Sequence, residues 1–453
     1  MDAEADQNGP GEAGQPALSG EGVEPPFQLG YRPELDGMRA LSIAAVLLMH
    51  APVPGFAGGF LRGGWVGVDA FFVLSGFLIT TLLLDEHRRT GRVSLRRFYM
   101  RRVLRLAPAL FVLLVVWSGY VWLALSESEA RLTCRQALVT LLYSSNWIMA
   151  FNAMPMYELA PTWSLAVEEQ FYLVWPPICV GLLFLGIRKR GFLAVAVTGA
   201  ILSAVVRLAM LVSGAYGVER LYYGSDTRAD ALLIGCIVGI LASRGTLVRL
   251  SRYRRTLGLA AASSAAFLVW IALTMTQMPW SLYAGLFTVI AVAVAIILVW
   301  VLTRPRGLVP KLLSAWPLVW TGRRSYGIYL WHQPAAAAIS SPLASILGGR
   351  EPHWALSVGV FVATSLAVAA ISFRYVEEPM LALKHRFSSV HEETALRSRV
   401  APRLGDPVAD EAYETGTALF HRSAKRGPKR GPKGPKPKRT EAGTALFPKR
   451  GQP

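Results

Sequence analysis

Charged side chains are scarce in this chain, making up 17% of its 453 residues against about a quarter in an average soluble domain. That shortage excludes an ordinary soluble globular protein of this length. Cysteine is scarcer still. Cys134, Cys179 and Cys236 are the whole supply, too few and too scattered for a disulfide framework or a structural zinc site. All three stand in or beside apolar runs, where a small buried side chain is the simplest reading. The first thirty residues have no basic n-region, so they do not begin a secretory signal. Acidic and rich in Gly and Pro, residues 1–30 read as a disordered cytoplasmic lead.

Acidic residues are missing from one further place. The segment 425–439, KRGPKRGPKGPKPKR, has none and supplies a large part of the net charge of +18. Most of the remaining excess lies in short Arg-rich loops between apolar runs. This is the charge distribution of a membrane protein's cytoplasmic side, and it excludes nucleic acid as the partner. Residues 387–453 read as a disordered basic cytoplasmic tail suited to contact anionic lipid. Its near copies ETGTALF (414–420) and EAGTALF (441–447) are too few to build a repeat fold.

Apolar length is what the chain has in plenty, with 53% hydrophobic residues. Runs at 106–125, 191–212, 257–274, 281–302 and 354–371 approach the ~20 residues needed to cross a bilayer. The fold class is therefore an all-α polytopic membrane protein, with a membrane domain over residues 31–386. Basic loops at 87–105, 187–190, 244–255, 304–311 and 384–386 assign the cytoplasmic side. The alternate loops, 51–64, 213–228, 276–280 and 341–353, face outward. One region breaks the alternation. The run 137–151 is short and interrupted by YSSNW, and a full crossing there would invert every later assignment. Residues 137–163 are thus expected to enter and leave on one side as a re-entrant segment lining a cavity. This gives about ten transmembrane helices, both termini cytoplasmic, in the plasma or inner membrane.

Ionisable residues inside such runs mark chemistry or transport. In DGMRALSIAAVLLMH (36–50), eleven helical steps of ~100° bring His50 back to the face of Arg39, about 16 Å further along. Both side chains therefore point at the same neighbour. The alternative is an arginine snorkelling to the interface and a histidine closing the helix. GGWVGVDAFFVLSGFLIT (63–80) adds Asp69 and Ser75, with glycines 63, 64, 67 and 76 suited to close helix packing. Asp69 could charge a nearby histidine or simply sit at a helix start. In PTWSLAVEEQFYLVWPP (161–177), Ser164, Glu168 and Tyr172 recur every four residues and form one polar stripe. Such a carboxylate flanked by hydroxyls can orient substrate or handle protons, while Thr162 or Ser164 stands where a cap belongs. Arg102 and Arg105 in RRVLRLAP (101–108) lie one turn apart and suit phosphate recognition, or plain anchoring on the positive side. YYGSDTRADALLIG (222–235) places Arg228 and Asp230 at an outer helix start. SYGIYLWHQP (325–334) places Tyr329 and His332 inside a crossing.

Six blocks in order, YRPELDGMRALSIAAVLLMH, GGWVGVDAFFVLSGFLITTLLL, FYMRRVLRLAPAL, TWSLAVEEQFYLVWP, RADALLIG and SYGIYLWHQP, resemble the acyltransferase-3 family of integral-membrane O-acyltransferases. The resemblance runs from about residue 31 to 379. It implies that Arg39 and His50 match the family's Arg/Lys–ten–His motif, Arg102 and Arg105 its Arg-x-x-Arg pair, and Ser164, Glu168 and Tyr172 its Ser–Glu–Tyr motif. Many relatives carry an SGNH hydrolase-like domain after the membrane part, where this chain has a basic tail.

The expected function is transfer of an acyl group, acetyl first of all, from acyl-CoA to a hydroxyl of a glycan, a glycolipid or a glycosylated small molecule, with membrane lipid as surroundings and no metal. His50, Arg39 and Glu168 are the expected catalytic residues, and Arg102 and Arg105 the donor-binding pair. Asp69, Ser75, Ser164, Tyr172, Arg228, Asp230 and His332 are expected at the substrate. A secondary transporter or exporter would use the same buried Arg, His and Asp, but it predicts paired broken helices in related halves, and no internal repeat is visible between residues 40 and 375. A non-catalytic membrane sensor or scaffold acting through its tail is the third reading.

Overall fold

The structure is a computed structural model that describes residues 30–52, 60–275, 279–346 and 353–383, all within the first of the two units into which the chain divides. The acidic lead 1–30, save Gly30, and the basic tail 387–453 lie outside the described residues. Among the described residues every regular element is helical. In chain order they are α1 (Pro33–His50), α2 (Val66–Thr90), α3 (Leu95–Ala124), α4 (Glu127–Leu141), α5 (Ser145–Ala150), α6 (Thr162–Phe184), α7 (Lys189–Ser213), α8 (Val218–Tyr223) and α9 (Ser225–Ser243). There follow α10 (Thr246–Leu250), α11 (Arg254–Thr274), α12 (Phe287–Thr303), α13 (Leu308–Leu313), α14 (Trp316–Arg323), α15 (Ser325–Ile346), α16 (Trp354–Ser372) and α17 (Glu378–Leu383). A π turn, Leu282–Leu286, leads into α12, and another, Phe373–Glu377, joins α16 to α17.

Among the described residues six helical stretches are long and apolar enough to cross a membrane: α2, α3, α7, α11, Leu282–Thr303 and Trp354–Leu383. Four more helices, α1, α6, α9 and α15, have 18, 23, 19 and 22 residues. They are the ones that carry Arg39, His50, Glu168, Asp230 and His332. The arrangement is inverted relative to a soluble protein. Large apolar side chains face outward, Leu123 88% and Phe184 89% exposed, while Arg207, Arg228 and Asp69 have almost no accessible surface. Apolar surface on that scale needs lipid around it, so the chain is a membrane protein.

The two central helices, α2 and α9, pack most closely. A Cβ at Gly76 would overlap the carbonyl of Leu232, and one at Gly235 the carbonyl of Val73. Only glycine permits that approach, as expected for helices drawn together without a hydrophobic driving force.

Residues 137–163 do not form one rod. α4 opens on a capping box of Ser126 and Glu129 and ends at Leu141; the six-residue α5 and a 3-10 turn, Tyr157–Leu159, follow. Tyr143, Asn152 and Tyr157 take left-handed φ values of 50°, 50° and 38°, which non-glycine residues adopt only where the chain must turn sharply. Gln170 of α6 holds this segment in place. Its amide donates to Tyr143 O (2.8 Å) and Asn146 Oδ1 (2.9 Å), and its oxygen accepts from Trp147 Nε1 (3.2 Å).

α6 begins at Thr162 and runs unbroken through Pro176 and Pro177. Neither Thr162 nor Ser164 caps it: the Thr162 hydroxyl donates to Leu159 O at 2.6 Å, and Ser164 meets another helix. Pro177 has no N–H for the carbonyl of Leu173, and the Tyr99 hydroxyl donates to that carbonyl instead (3.1 Å).

Candidate active site

The two side chains that spacing puts on one face of α1 both meet α15. Arg39 Nε donates to Ser325 Oγ at 3.3 Å. One end further along, the His50 and His332 rings lie 5.0 Å apart, tilted by 52°. The hydrogen bonds of the imidazoles fix their tautomers. His50 Nδ1 lies 3.0 Å from Val46 O and His332 Nδ1 2.7 Å from Tyr329 O. A carbonyl only accepts, so each Nδ1 carries the proton and each Nε2 of the neutral ring keeps its lone pair. His332 Nε2 is buried with no hydrogen-bond partner.

The polar stripe of α6 faces the Arg39 level. Tyr172 donates to Glu168 Oε2 at 2.8 Å, Ser75 of α2 stands against both groups, and the Arg102 guanidinium lies 3.8 Å from the centre of the Tyr172 ring. Arg39, Arg102 and Arg105 repel one another here, and Asp36, Glu168, Glu169 and Glu377 supply the opposing charge. Residues from α1, α3, α6 and the last π turn thus form one compact mixed-charge cluster. A phosphate or a thioester arriving beside three guanidinium groups would find donors ready for it.

Two cavities meet between these levels. The one at the Arg39 level, termed inner, has about 70 Å³ and is lined by Arg39, Ser75, Ser164, Glu168, Ser325 and Tyr329 among others. The one at the His50 level, termed outer, has about 370 Å³, with His50, Trp163, Tyr222 and Glu219 in its wall. Val68 and Tyr329 line both, so these two side chains are the partition. The Tyr329 hydroxyl has a single proton, and Pro161 O, 2.9 Å away, can only accept it. Ser164 Oγ lies 2.7 Å from the Tyr329 oxygen and 3.4 Å from Pro161 O, so the two hydroxyls share one carbonyl and one hydrogen bond between them.

Asp69, Arg228 and Asp230 stand elsewhere. Asp69 meets no histidine; its partner is Arg228, at 2.7 Å with both side chains buried, and the Arg228 guanidinium lies 3.6 Å from the centre of the Phe287 ring. Asp230 pairs with the buried Arg207 at 2.9 Å and accepts from Thr288 at 2.6 Å. These are interior ion pairs between α2, α7, α9 and α12, and neither cavity is lined by them. Sequence reasoning passed over Arg207, whose signal was a single arginine within the run 191–212. It also passed over Ser325, Trp163 and Glu219, which carry no spacing signal. Among the described residues no cluster of three or more His, Cys, Asp or Glu side chains could hold a metal.

The model of the acyltransferase domain matches residues 32–373, which takes in both cavities and all of the charged cluster but Glu377. The chain belongs to the acyltransferase-3 family. YrhL of Bacillus subtilis is 35% identical over 361 residues, covering 77% of this chain and 55% of that protein. The peptidoglycan O-acetyltransferase OatA of Listeria monocytogenes is 33% identical, with 77% and 56% covered. The O-acetyltransferase OatA of Staphylococcus aureus is 32% identical, with 79% and 58% covered. This chain thus spans little more than half the length of the curated relatives it matches. No solved structure matches it.

Proposed function

We propose that this acyltransferase-3 chain is a membrane O-acetyltransferase that moves an acetyl group from acyl-CoA to a hydroxyl of a glycan. The observation that carries the reading is the pair of cavities divided by Tyr329, one lined by Arg39 and Glu168, the other by His50. The names of the Listeria and Staphylococcus relatives support the acetyl group and, for the first, a glycan acceptor. Arg102 and Arg105 hold the donor phosphates, and the thioester projects into the inner cavity. About 70 Å³ suits a short acyl group rather than a long chain. Arg39 faces the negative charge that develops on the thioester oxygen. Glu168, held by Tyr172 and Ser75, keeps the guanidinium groups in place, and Ser164 with Tyr329 shapes the passage to His50.

His50 Nε2 has the lone pair required of a general base or of a transient acyl carrier. In direct transfer the acceptor oxygen bonds to the carbonyl carbon, the carbon–sulfur bond breaks, and the acceptor's proton passes through His50 Nε2 to the departing thiolate. His332 stands behind His50, and the buried pairs of Asp69 with Arg228 and Asp230 with Arg207 hold the outer wall in register. In the membrane we place about ten crossings with residues 137–163 re-entrant and both termini cytoplasmic. The basic tail 387–453 lies against anionic lipid.

The test uses the full chain in membranes with labelled acetyl-CoA and mass spectrometry of envelope glycans. Wild-type protein adds one acetyl mass to a glycan. His50→Ala lowers transfer at least about a hundredfold, since removal of a catalytic base costs on the order of 10²–10⁴ and loss of an acyl carrier costs more. Undiminished transfer by the folded His50→Ala protein would overturn the assignment, and faster turnover of a long-chain acyl-CoA would overturn the acetyl group.

A further inference from the structure

The outer cavity differs from the inner one in chemistry as well as size. Its wall brings together Trp163, Tyr222 and Tyr283 with Glu219, Gln333 and His50. The Trp163 and Tyr222 ring centres are 5.0 Å apart at an angle of 49°, so the two rings pack against each other as one aromatic wall of the cavity. At about 370 Å³, the space lies within the ~300–1,000 Å³ range of small-molecule sites. Rings with apolar faces and polar rims match a pyranose, which has C–H faces and hydroxyl edges. Gln333 and Glu219 can accept or exchange hydrogen bonds with those hydroxyls.

The charge on this wall is one-sided. Among the described lining residues Glu219 is a carboxylate, and no Lys or Arg is present. The nearby cations are committed elsewhere. Arg220, the next residue to Glu219, pairs with Asp226 through two hydrogen bonds of 2.8 and 2.6 Å and lies 5.0 Å from the Trp147 ring centre. Arg228, 5.4 Å from the Tyr222 ring centre, is neutralised by Asp69. An acidic group entering here would meet the Glu219 carboxylate with no Lys or Arg among the described lining residues to offset it.

We infer that the outer cavity is a subsite for an uncharged sugar ring, held against the aromatic wall of Trp163 and Tyr222 beside His50, and that Glu219 turns acidic sugars away. This rests on the acetyltransferase reading for its purpose but not for its test, which reads binding without turnover. The full chain in detergent micelles is titrated with methyl β-D-glucopyranoside and with methyl β-D-glucopyranosiduronate. Saturation transfer from protein to sugar protons reports occupancy. Release of CoA from acetyl-CoA is followed separately.

The neutral glycoside is expected to bind at least about tenfold more tightly than the acidic one. Glu219→Gln should close most of that gap. Tyr222→Phe should retain binding and Tyr222→Ala lose it, with the melting temperature of each variant checking the fold. Equal or tighter binding of the acidic glycoside, a gap unchanged in Glu219→Gln, or saturation of neither sugar would each overturn the subsite. If CoA release persists without sugar binding, the subsite fails and the acetyltransferase reading stands. If sugar binds with the expected preference but acetyl-CoA is never turned over, the subsite stands and the enzymatic reading fails.

Discussion

Asp69 and Arg228 illustrate how much a single buried residue decides here. The pair is 2.7 Å apart with 0% and 1% side-chain exposure, and Arg228 Nε and Nη1 have no hydrogen-bond partner. Asp69→Asn keeps the shape but leaves a guanidinium buried among Phe72, Tyr222 and Phe287 without its counter-charge. Breaking a buried pair this way costs about 3–5 kcal/mol. We expect thermal unfolding in detergent to fall markedly for Asp69→Asn and for Arg228→Gln alone. The double apolar replacement, Asp69→Leu with Arg228→Met, should recover most of the loss, because well-packed apolar pairs can match buried ion pairs. A double variant no better than either single would show that the charges themselves are required. The partnership was not legible in the sequence: Asp69 and Arg228 are 159 residues apart, and Asp69 could equally have faced a histidine. The Arg39–His50 alignment was legible because helical geometry alone fixes it. What α1 turns toward, α15 with Ser325 and His332, was not.

At the scale of helices, the contact of α2 with α9 holds the partition in place, since α2 carries Val68, Asp69 and Ser75 together. Gly76 and Gly235 each rest on a carbonyl of the opposite helix. Gly76→Ala forces the helices apart rather than filling a void, and such overpacking costs roughly 1–3 kcal/mol. The displaced helix also moves Ser75, next in the chain, away from Glu168. A lower unfolding temperature together with reduced transfer is expected, measured in parallel on one purified sample. Unchanged stability would mean that the helices yield there without strain. The same substitution at Gly119, with nothing near its Cβ position, is the control and should change little. Apolar length and period made the long helices readable from the sequence. The break-up of residues 137–163 into short turns was only partly readable, because it depends on Gln170 reaching back from α6 to Tyr143, Asn146 and Trp147.

For the whole molecule the deciding quantity is which parts of the chain face which side, and the scarcity of cysteine makes this measurable. Cys134 is exposed on α4, while Cys179 and Cys236 are buried. An impermeant maleimide applied to intact cells therefore reports the side of the membrane on which Cys134 stands. The basic stretch 87–105, which joins the end of α2 to the first turns of α3, is drawn to the cytoplasm on the positive-inside rule, and α3, with 30 residues, is long enough to cross from it. Cys134 should then be labelled from outside. If residues 137–163 return to the side they left, a cysteine placed at Ala153 beyond α5 is also labelled from outside, in a Cys134→Ser background. If the segment crosses instead, Ala153→Cys reacts only in opened membranes while Cys134 still labels outside. That result would remove the re-entrant segment and invert the side assigned to every loop after it. Labelling of Cys134 only from within would reverse the chain as a whole and put His50 on the cytoplasmic side. An acceptor glycan of the outer face could not then reach His50 Nε2, and the direction of transfer would have to be redrawn with the donor and acceptor cavities exchanged.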